Sequence, residues 1–294
     1  MTISGVYTAL VTPFTKDDID FEGMRKNIRF QIDQGVSGIL PLGTTGESPT
    51  ITHEEKDNII KLAVEEARGK VQVMVGTGSN ATNATIRYTE TARELGADIV
   101  LIVTPYYNKP TQEGIFQHFK AVNDAVDIPI IVYNIQGRTG INISTETMRR
   151  LSELSNVVGV KEASGNIIQI GDVIGTIVNT GTKFSVLSGD DGLTLPLLSL
   201  GGHGVISVVS NLLPARVVAM VQAALNNDFK TAAKIHFELL PLFKGAFIET
   251  NPIPIKAAMN ICGMAAGGCR LPITPISKAS EIQLKTILKQ MKLI

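Results

Sequence analysis

The strongest constraint on the fold is a regular alternation of short apolar runs with amphipathic helical patterns. Eight runs rich in Val, Ile and Leu are predicted to be strands, at residues 6–11, 38–42, 71–75, 98–103, 128–133, 157–161, 184–187 and 204–209. Helical periodicity separates them, as where Met24, Ile28 and Ile32 recur at every fourth position. Continuous apolar strands that alternate with amphipathic helices predict a parallel sheet covered by helices.

Eight strand–helix units in this length predict an α/β fold of the (β/α)8 TIM barrel type. A doubly wound open sheet is the alternative architecture. The C-terminal segment differs, because residues 229–247 and 281–291 have helical patterns with no strand between them. The sequence therefore predicts a barrel over residues 1–225 and a C-terminal α-helical extension over 226–294.

The charge balance argues against nucleic acid and membrane partners. The 294 residues include 27 Lys plus Arg and 27 Asp plus Glu, which leaves no basic footprint for nucleic acid or an acidic membrane surface. No apolar segment reaches the roughly 20 residues that cross a bilayer. The N-terminal segment has no basic leader and is interrupted by Gly5 and Pro13, so a cytoplasmic location is expected.

Cysteine and histidine usage predicts neither a disulfide nor a metal site. The spacing of Cys262 and Cys269 suits neither a zinc knuckle nor a C-x-x-C redox pair, so free thiols are expected. The histidines are dispersed and show no ligand spacing; they are His53, His118, His203 and His236. We therefore expect no catalytic metal, no histidine base and no cofactor.

Lys161 ends the sixth predicted strand and is followed directly by Glu162. A lysine at the end of a buried strand is unfavourable unless it has a function. One interpretation is that the side chain reaches solvent or pairs with a carboxylate. The other is an amine whose pKa is lowered by burial, so that it can attack a ketone and form an imine.

The active site of a (β/α)8 barrel lies at the carboxyl ends of its strands, so the residues that follow each strand are candidates. These segments are Gly43-Thr44-Thr45-Gly46-Glu47, Tyr106-Tyr107-Asn108-Lys109-Pro110, Tyr133-Asn134, Arg138-Thr139-Gly140, Lys161-Glu162, Gly189-Asp190-Asp191 and Gly204-Val205-Ile206-Ser207. Taken singly, each has an ordinary explanation: a turn at residues 43–46, core packing for Tyr133, a surface position for Arg138 or a helix cap at residues 190–191. Because residues 43–46 lack the lysine of a phosphate loop, nucleotide binding is not expected. Their convergence on one rim indicates a catalytic site.

These segments, together with two near the C-terminus, closely resemble the dihydrodipicolinate synthase family. The matching motifs are G-T-T-G-E at 43–47, Y-Y-N-K-P at 106–110, Y-N at 133–134, R-T-G at 138–140, G-V-K-E-A at 159–163, S-G-D-D at 188–191, G-G-H-G-V-I-S at 201–207, N-P-I-P-I-K at 251–256 and L-P-I-T-P at 271–275. The similarity covers essentially the whole chain in register.

The resemblance implies a lyase of lysine and diaminopimelate biosynthesis that condenses pyruvate with L-aspartate-4-semialdehyde. Lys161 would form the imine with pyruvate, and Tyr133, Thr44 and Tyr107 would relay protons through their hydroxyl groups. The implied substrate-binding residues are Thr45 for the pyruvate carboxylate, Arg138 for the semialdehyde carboxylate, and Gly189 and Ile206 through their carbonyl groups.

The resemblance also implies an oligomer, because Tyr107 comes from a neighbouring subunit in this family. A dimer would be the minimum active unit, and a homotetramer built as a dimer of dimers is expected. Other pyruvate-dependent aldolases, such as N-acetylneuraminate lyase and 2-keto-3-deoxysugar acid aldolases, are the alternative. They share the lysine and the tyrosine but typically lack the arginine at Arg138. A non-catalytic barrel is a third hypothesis, disfavoured because every catalytic position is filled.

Two departures from the family pattern carry expectations of their own. Gln136 replaces a usual proline, which restores an N–H group and makes the loop of Arg138 more mobile. The cleft for feedback inhibition by lysine would comprise Ser48, His53, Lys56, Asn80, Ala84 and Tyr106. Lys56 stands where the family has a histidine, which adds a cation, and Ala84 stands where it has a glutamate, which removes an anion. Both changes oppose a cationic effector, so weak or absent inhibition by lysine is expected.

Overall fold

A closed barrel of eight parallel strands forms the centre of the computed structural model, which describes residues 3–16 and 18–294. In chain order the strands are β1 Gly5–Ala9, β2 Phe14–Thr15, β3 Asp18–Ile19, β4 Gly38–Leu40, β5 Gln72–Gly76, β6 Ile99–Val103, β7 Ile130–Asn134, β8 Val157–Glu162, β9 Ser185–Ser188 and β10 Gly204–Ser207. Around the barrel the order is β1-β10-β9-β8-β7-β6-β5-β4, while β2 and β3 form a separate antiparallel pair. The (β/α)8 prediction is confirmed and the open-sheet alternative is wrong.

Twelve α-helices are present in the described part of the chain. They are α1 Phe21–Asp33, α2 His53–Ala67, α3 Thr82–Glu94, α4 Gln112–Ala125, α5 Gln136–Thr139, α6 Thr145–Ser152, α7 Ile167–Ile177, α8 Thr194–Ser199, α9 Pro214–Leu225, α10 Phe229–Gly245, α11 Ile253–Ile261 and α12 Lys278–Gln290. Local sequence explains their starts. For example, Thr52 and Glu55 exchange the two hydrogen bonds of a capping box at the start of α2.

The strands are apolar on both faces because both faces are covered. One set of side chains points outward and packs against the helices, as Val132 and Val160 do. The other set fills the barrel interior and includes Ile131, Leu187 and Ile206. The register pairs Tyr133 of β7 with Lys161 of β8, so these two side chains share the interior face at the carboxyl end of the barrel.

The C-terminal helices pack against the last barrel helix and against one another, since α10 contacts α9 and α12 contacts both α10 and α11. The predicted helices at 229–247 and 281–291 are present as α10 and α12. No sequence pattern predicted α11, α5 or the β2–β3 pair. The eighth predicted strand extends to residue 209, whereas β10 ends at Ser207 and residues 209–211 form a 3₁₀ turn.

The expected division at residue 225 falls between α9 and α10. Of the predicted barrel segment 1–225, Met1, Thr2 and Asp17 lie outside the described residues. Cys262 and Cys269 are free thiols, as expected. No helix in the described ranges combines the length and apolarity that a membrane span requires.

Candidate active site

Lys161 is buried at the carboxyl end of β8, with 5% of its surface exposed. It has no hydrogen bond or ion pair with any described residue, so neither the solvent-exposed nor the ion-paired interpretation describes it. Burial lowers the pKa of the Lys161 amine to about 7; the Asp191 carboxylate opposes this shift and the Arg138 guanidinium adds to it. A large fraction of this amine is therefore neutral and nucleophilic near neutral pH.

Tyr133 lies directly beside that amine, with the Lys161 Nζ 4.3 Å from the centroid of the phenol ring. Burial raises the pKa of Tyr133 to about 12, and the effect is only partly offset by Arg138 and by a hydrogen bond with Thr44. The phenol therefore stays protonated at neutral pH and can donate a proton or pass one on through a hydrogen bond.

The Gly43–Gly46 loop, which follows β4, carries Thr44 and Thr45. Its two flanking residues, Leu42 and Glu47, have left-handed φ values of 59° and 55°. Such conformations are unfavourable for non-glycine residues and persist only where surrounding contacts hold them. Thr45 is buried, and its Oγ1 accepts a hydrogen bond from Asn251 Nδ2 at 3.0 Å.

A buried ion pair holds this loop against the C-terminal helices. The Lys256 Nζ of α11 donates to Glu47 Oε1 at 2.7 Å and to the Thr12 carbonyl at 2.9 Å, and the Arg270 backbone N–H donates to Glu47 Oε2 at 2.9 Å. Both side chains of the pair are almost completely buried. Removing either partner would leave an unpaired buried charge, which is strongly unfavourable.

Arg138 lies on the short helix α5, beyond β7. Its Nη2 donates to the main-chain carbonyl of Asn251 at 3.1 Å, and Gly140 ends the helix with a left-handed φ of 74°. This single contact leaves the remaining N–H groups of the guanidinium available to bind a carboxylate in a forked geometry.

The residues at the carboxyl ends of β9 and β10 form the bottom of the site. A Cβ atom at Gly189 would lie 2.7 Å from the Ala163 Cβ and 3.1 Å from Cε and Cγ of Lys161, so only glycine fits beside the amine. The Asp191 carboxylate accepts hydrogen bonds from Ser207 and from the N–H groups of Val208 and Val209. The alternative reading of residues 190–191 as a helix cap applies to Asp190, whose side chain accepts from the Gly192 N–H.

A cavity of about 460 Å³ opens above these residues, and its lining includes Thr44, Tyr106, Tyr133, Arg138 and Asn251. Tyr107 is not in the lining: it is 90% exposed and has a left-handed φ of 74°. Lys161 and Thr45 are not in the lining, but Lys161 contacts Tyr133 and Thr45 contacts Asn251, and both of these do line the cavity. One chain thus brings Lys161, Tyr133, Thr44, Thr45 and Arg138 together and leaves Tyr107 on the surface.

The residues predicted for an effector cleft are only partly together. Ser48 and Lys56 line both the first cavity and a second one of about 260 Å³; His53 lines only the second, Tyr106 only the first, and Asn80 and Ala84 line neither. The Lys56 ammonium lies 4.9 Å from the centroid of the Tyr88 ring. Burial lowers the pKa of Lys56.

No three His, Cys, Asp or Glu side chains converge as a metal site would require anywhere in residues 3–16 and 18–294. Three contributors to the site had no catalytic or binding role assigned from the sequence: Asn251, the Glu47–Lys256 pair and the buried Asp191. The N-P-I-P-I-K motif was visible in the sequence, but no local pattern indicated that it reaches a loop about 200 positions earlier.

Comparison with known proteins identifies the family. The model of the "Dihydrodipicolinate synthetase family" matches residues 2–291. The chain belongs to this family. Among its curated relatives, the 4-hydroxy-tetrahydrodipicolinate synthase of Protochlamydia amoebophila is 55% identical over 99% of this chain and 97% of that protein.

Solved structures of dihydrodipicolinate synthases match the whole fold. The enzyme from Thermotoga maritima superposes with a TM-score of 0.98 at 42% identity and covers all of both chains. The chloride-inhibited enzyme from Acinetobacter baumannii, solved in complex with pyruvate, has a TM-score of 0.97 at 38% identity and also covers both chains completely. The family resemblance drawn from the motifs is therefore confirmed across the chain.

Proposed function

We propose that this chain condenses pyruvate with L-aspartate-4-semialdehyde, the 4-hydroxy-tetrahydrodipicolinate synthase reaction, through an imine on Lys161. The observation that carries the proposal is the buried, unpaired amine whose pKa is lowered to about 7 beside Tyr133. The names of the full-length relatives support the same reaction.

The first half of the reaction is imine formation. Neutral Lys161 attacks the ketone carbon of pyruvate, and loss of water gives a protonated imine. The imine withdraws electrons, so a methyl proton of pyruvate can leave and an enamine results. Tyr133, which keeps its proton at neutral pH, supplies and removes protons at this centre together with Thr44.

The second half joins the substrates. The enamine carbon attacks the aldehyde of the semialdehyde, which forms the new carbon–carbon bond. The amino group of the same substrate then displaces Lys161 from the imine carbon, which closes the ring and restores the free amine. Thr45 binds the pyruvate carboxylate, Arg138 binds that of the semialdehyde, and Gly189 and Ile206 line the floor with their carbonyl groups.

We also propose that the active unit is at least a dimer, in which the exposed Tyr107 of one chain completes the relay of another. A phenol that is 90% exposed on a left-handed backbone is well placed to enter a neighbouring chain. Ile168 on α7 and Leu200 after α8 are also exposed, and Leu200 lies beside Gly171 of α7. These further exposed apolar side chains support the dimer-of-dimers prediction.

Residues 226–294 are proposed to act as a C-terminal helical region that closes the site, because Asn251 and Lys256 contact the Gly43–Gly46 loop and its flank. The cytoplasmic location stays a prediction. So does weak inhibition by lysine.

A coupled assay tests the function. Product formation from pyruvate and aspartate semialdehyde, compared with cleavage of N-acetylneuraminate, separates the synthase from the alternative aldolases. Borohydride reduction in the presence of pyruvate, followed by peptide mapping, should place the adduct on Lys161. An adduct on Lys256, which is also buried but pairs with Glu47, would contradict the proposal.

A further inference from the structure

Asn251 lies between the two residues proposed to bind carboxylates. Its side-chain Nδ2 donates to Thr45 Oγ1 at 3.0 Å, and its main-chain carbonyl accepts from Arg138 Nη2 at 3.1 Å. The residue is 3% exposed and contributes to the lining of the larger cavity. One side chain from the C-terminal region is thus fixed at the junction of the pyruvate and semialdehyde subsites.

The remaining polar atom of this side chain has no partner. Asn251 Oδ1 is buried and accepts no hydrogen bond from any described residue. Because most buried polar atoms in proteins are paired, an unpaired acceptor at the edge of a substrate cavity indicates that a ligand supplies the donor. The contact with Thr45 already fixes the amide, so Oδ1 is held in place before the ligand arrives.

The chemistry of the second substrate matches this acceptor. In an α-amino acid the carboxylate and the amino group share one carbon atom. A carboxylate bound to Arg138 therefore places the amino group a few bonds from the guanidinium, which itself contacts the main-chain carbonyl of Asn251.

A neutral acceptor suits the reaction better than a charged one. The amino group must lose its proton before it can displace Lys161, and a neighbouring carboxylate would raise its pKa. Glu47 is the one carboxylate among the described lining residues, and Lys256 already pairs with it. An amide oxygen can bind the amine without holding its proton as firmly.

We propose that Asn251 Oδ1 accepts a hydrogen bond from the α-amino group of the second substrate and makes the site select an α-amino semialdehyde over its deamino analogue. This inference rests on the proposed function. Asn251 is a specificity-determining residue in this account, and its contact with Thr45 positions it.

The test compares aspartate semialdehyde with succinate semialdehyde, which lacks the amino group, at saturating pyruvate. In Asn251→Leu the KM for aspartate semialdehyde should rise about 10- to 100-fold, the loss expected for a hydrogen bond to a charged group. The inhibition constant of succinate semialdehyde should change less than about twofold. Asn251→Asp keeps an acceptor and should keep the preference.

Thr45→Val is the companion variant. It removes the hydroxyl group that positions the Asn251 amide, so it should raise the KM for pyruvate and also reduce the preference for aspartate semialdehyde over succinate semialdehyde. Borohydride trapping of pyruvate checks that the Asn251→Leu variant folds, because only a folded site forms the adduct. If that variant does not fold, the Asn251→Ser variant is measured in its place.

Two outcomes would overturn the inference. In one, Asn251→Leu weakens both aldehydes equally, which would mean that the residue acts only through Arg138. In the other, Asn251→Leu changes the binding of neither aldehyde, which would mean that Oδ1 does not contact the substrate. If instead the wild-type protein makes no product from pyruvate and aspartate semialdehyde, the proposed function itself fails.

Discussion

The pH dependence of imine formation tests the central claim that Lys161 is neutral because it is buried. The ordinary lysine pKa of 10.5 is lowered to about 7 at this position. At pH 8 about 90% of the amine would then be neutral, against about 0.3% at the ordinary value, a difference of roughly 300-fold in reactive amine. The lowered pKa corresponds to about 5 kcal/mol of penalty on the buried charged form.

The assay is the initial rate of pyruvate trapping with cyanoborohydride between about pH 5.5 and 9.5, which extends about 1.5 pH units below the expected midpoint and about 2.5 above it. Adduct formation is followed by intact mass. We expect the rate to rise with a midpoint near pH 7 and then to level off. A rate that keeps rising beyond about pH 9 would show that the amine is solvated and would refute the reasoning.

The same lowered pKa predicts the stability of a variant that has no charge at this position. Below pH 7 the folded protein carries a buried Lys161 ammonium. Between pH 7 and 10.5 this lysine is protonated in the unfolded chain but neutral in the folded protein, so the unfolded chain binds more protons. The free energy of unfolding therefore rises with pH over that window. Lys161→Met should therefore gain stability at low pH. Its advantage in urea unfolding should be about 3 kcal/mol smaller at pH 9 than at pH 6. Equal gains at both pH values would contradict the buried-charge account.

Three further predictions follow from neighbouring residues. Asp191→Asn removes the anion that raises the pKa of Lys161, so the midpoint of the trapping curve should move to lower pH; an upward shift would show that another group dominates. Gln136→Pro places proline at the first position of α5. In urea titration it should raise the free energy of unfolding by about 0.4–1 kcal/mol, and in steady-state kinetics it should lower the KM for aspartate semialdehyde. Because Lys56 adds a cation to the effector cleft, lysine should inhibit weakly or not at all in the coupled assay, and half-inhibition at submillimolar lysine would refute this.

Sequence patterns predicted the barrel because each strand and its helix are local in the chain. Elements without such a pattern were missed for identifiable reasons. The β2–β3 pair is two residues per strand, too short for any periodicity. Helix α11 begins in N-P-I-P, whose prolines normally indicate a break in structure rather than the start of a helix.

The residues of the candidate site also divide into those that could be predicted from the sequence and those that could not. Lys161, Tyr133 and Arg138 were predictable because barrel geometry brings strand ends together wherever they occur in the sequence. The contact of Asn251 with Thr45 spans 206 positions and that of Lys256 with Glu47 spans 209, and both depend on how the C-terminal helices fold back over the barrel mouth. Such contacts have no local signature.

These long-range contacts also explain why a C-terminal helical region belongs with this barrel. The open rim of a barrel would leave Lys161 and Tyr133 in contact with water, and a solvated amine would regain its ordinary pKa. Through Glu47 and Thr45, the C-terminal region fixes the Gly43–Gly46 loop, whose Thr44 hydrogen-bonds with Tyr133 beside the amine. A lysine that is neutral near pH 7 therefore depends on residues far from it in the sequence. Changes at Lys256 should accordingly shift the pH midpoint of imine formation upward, although Lys256 does not line the cavity.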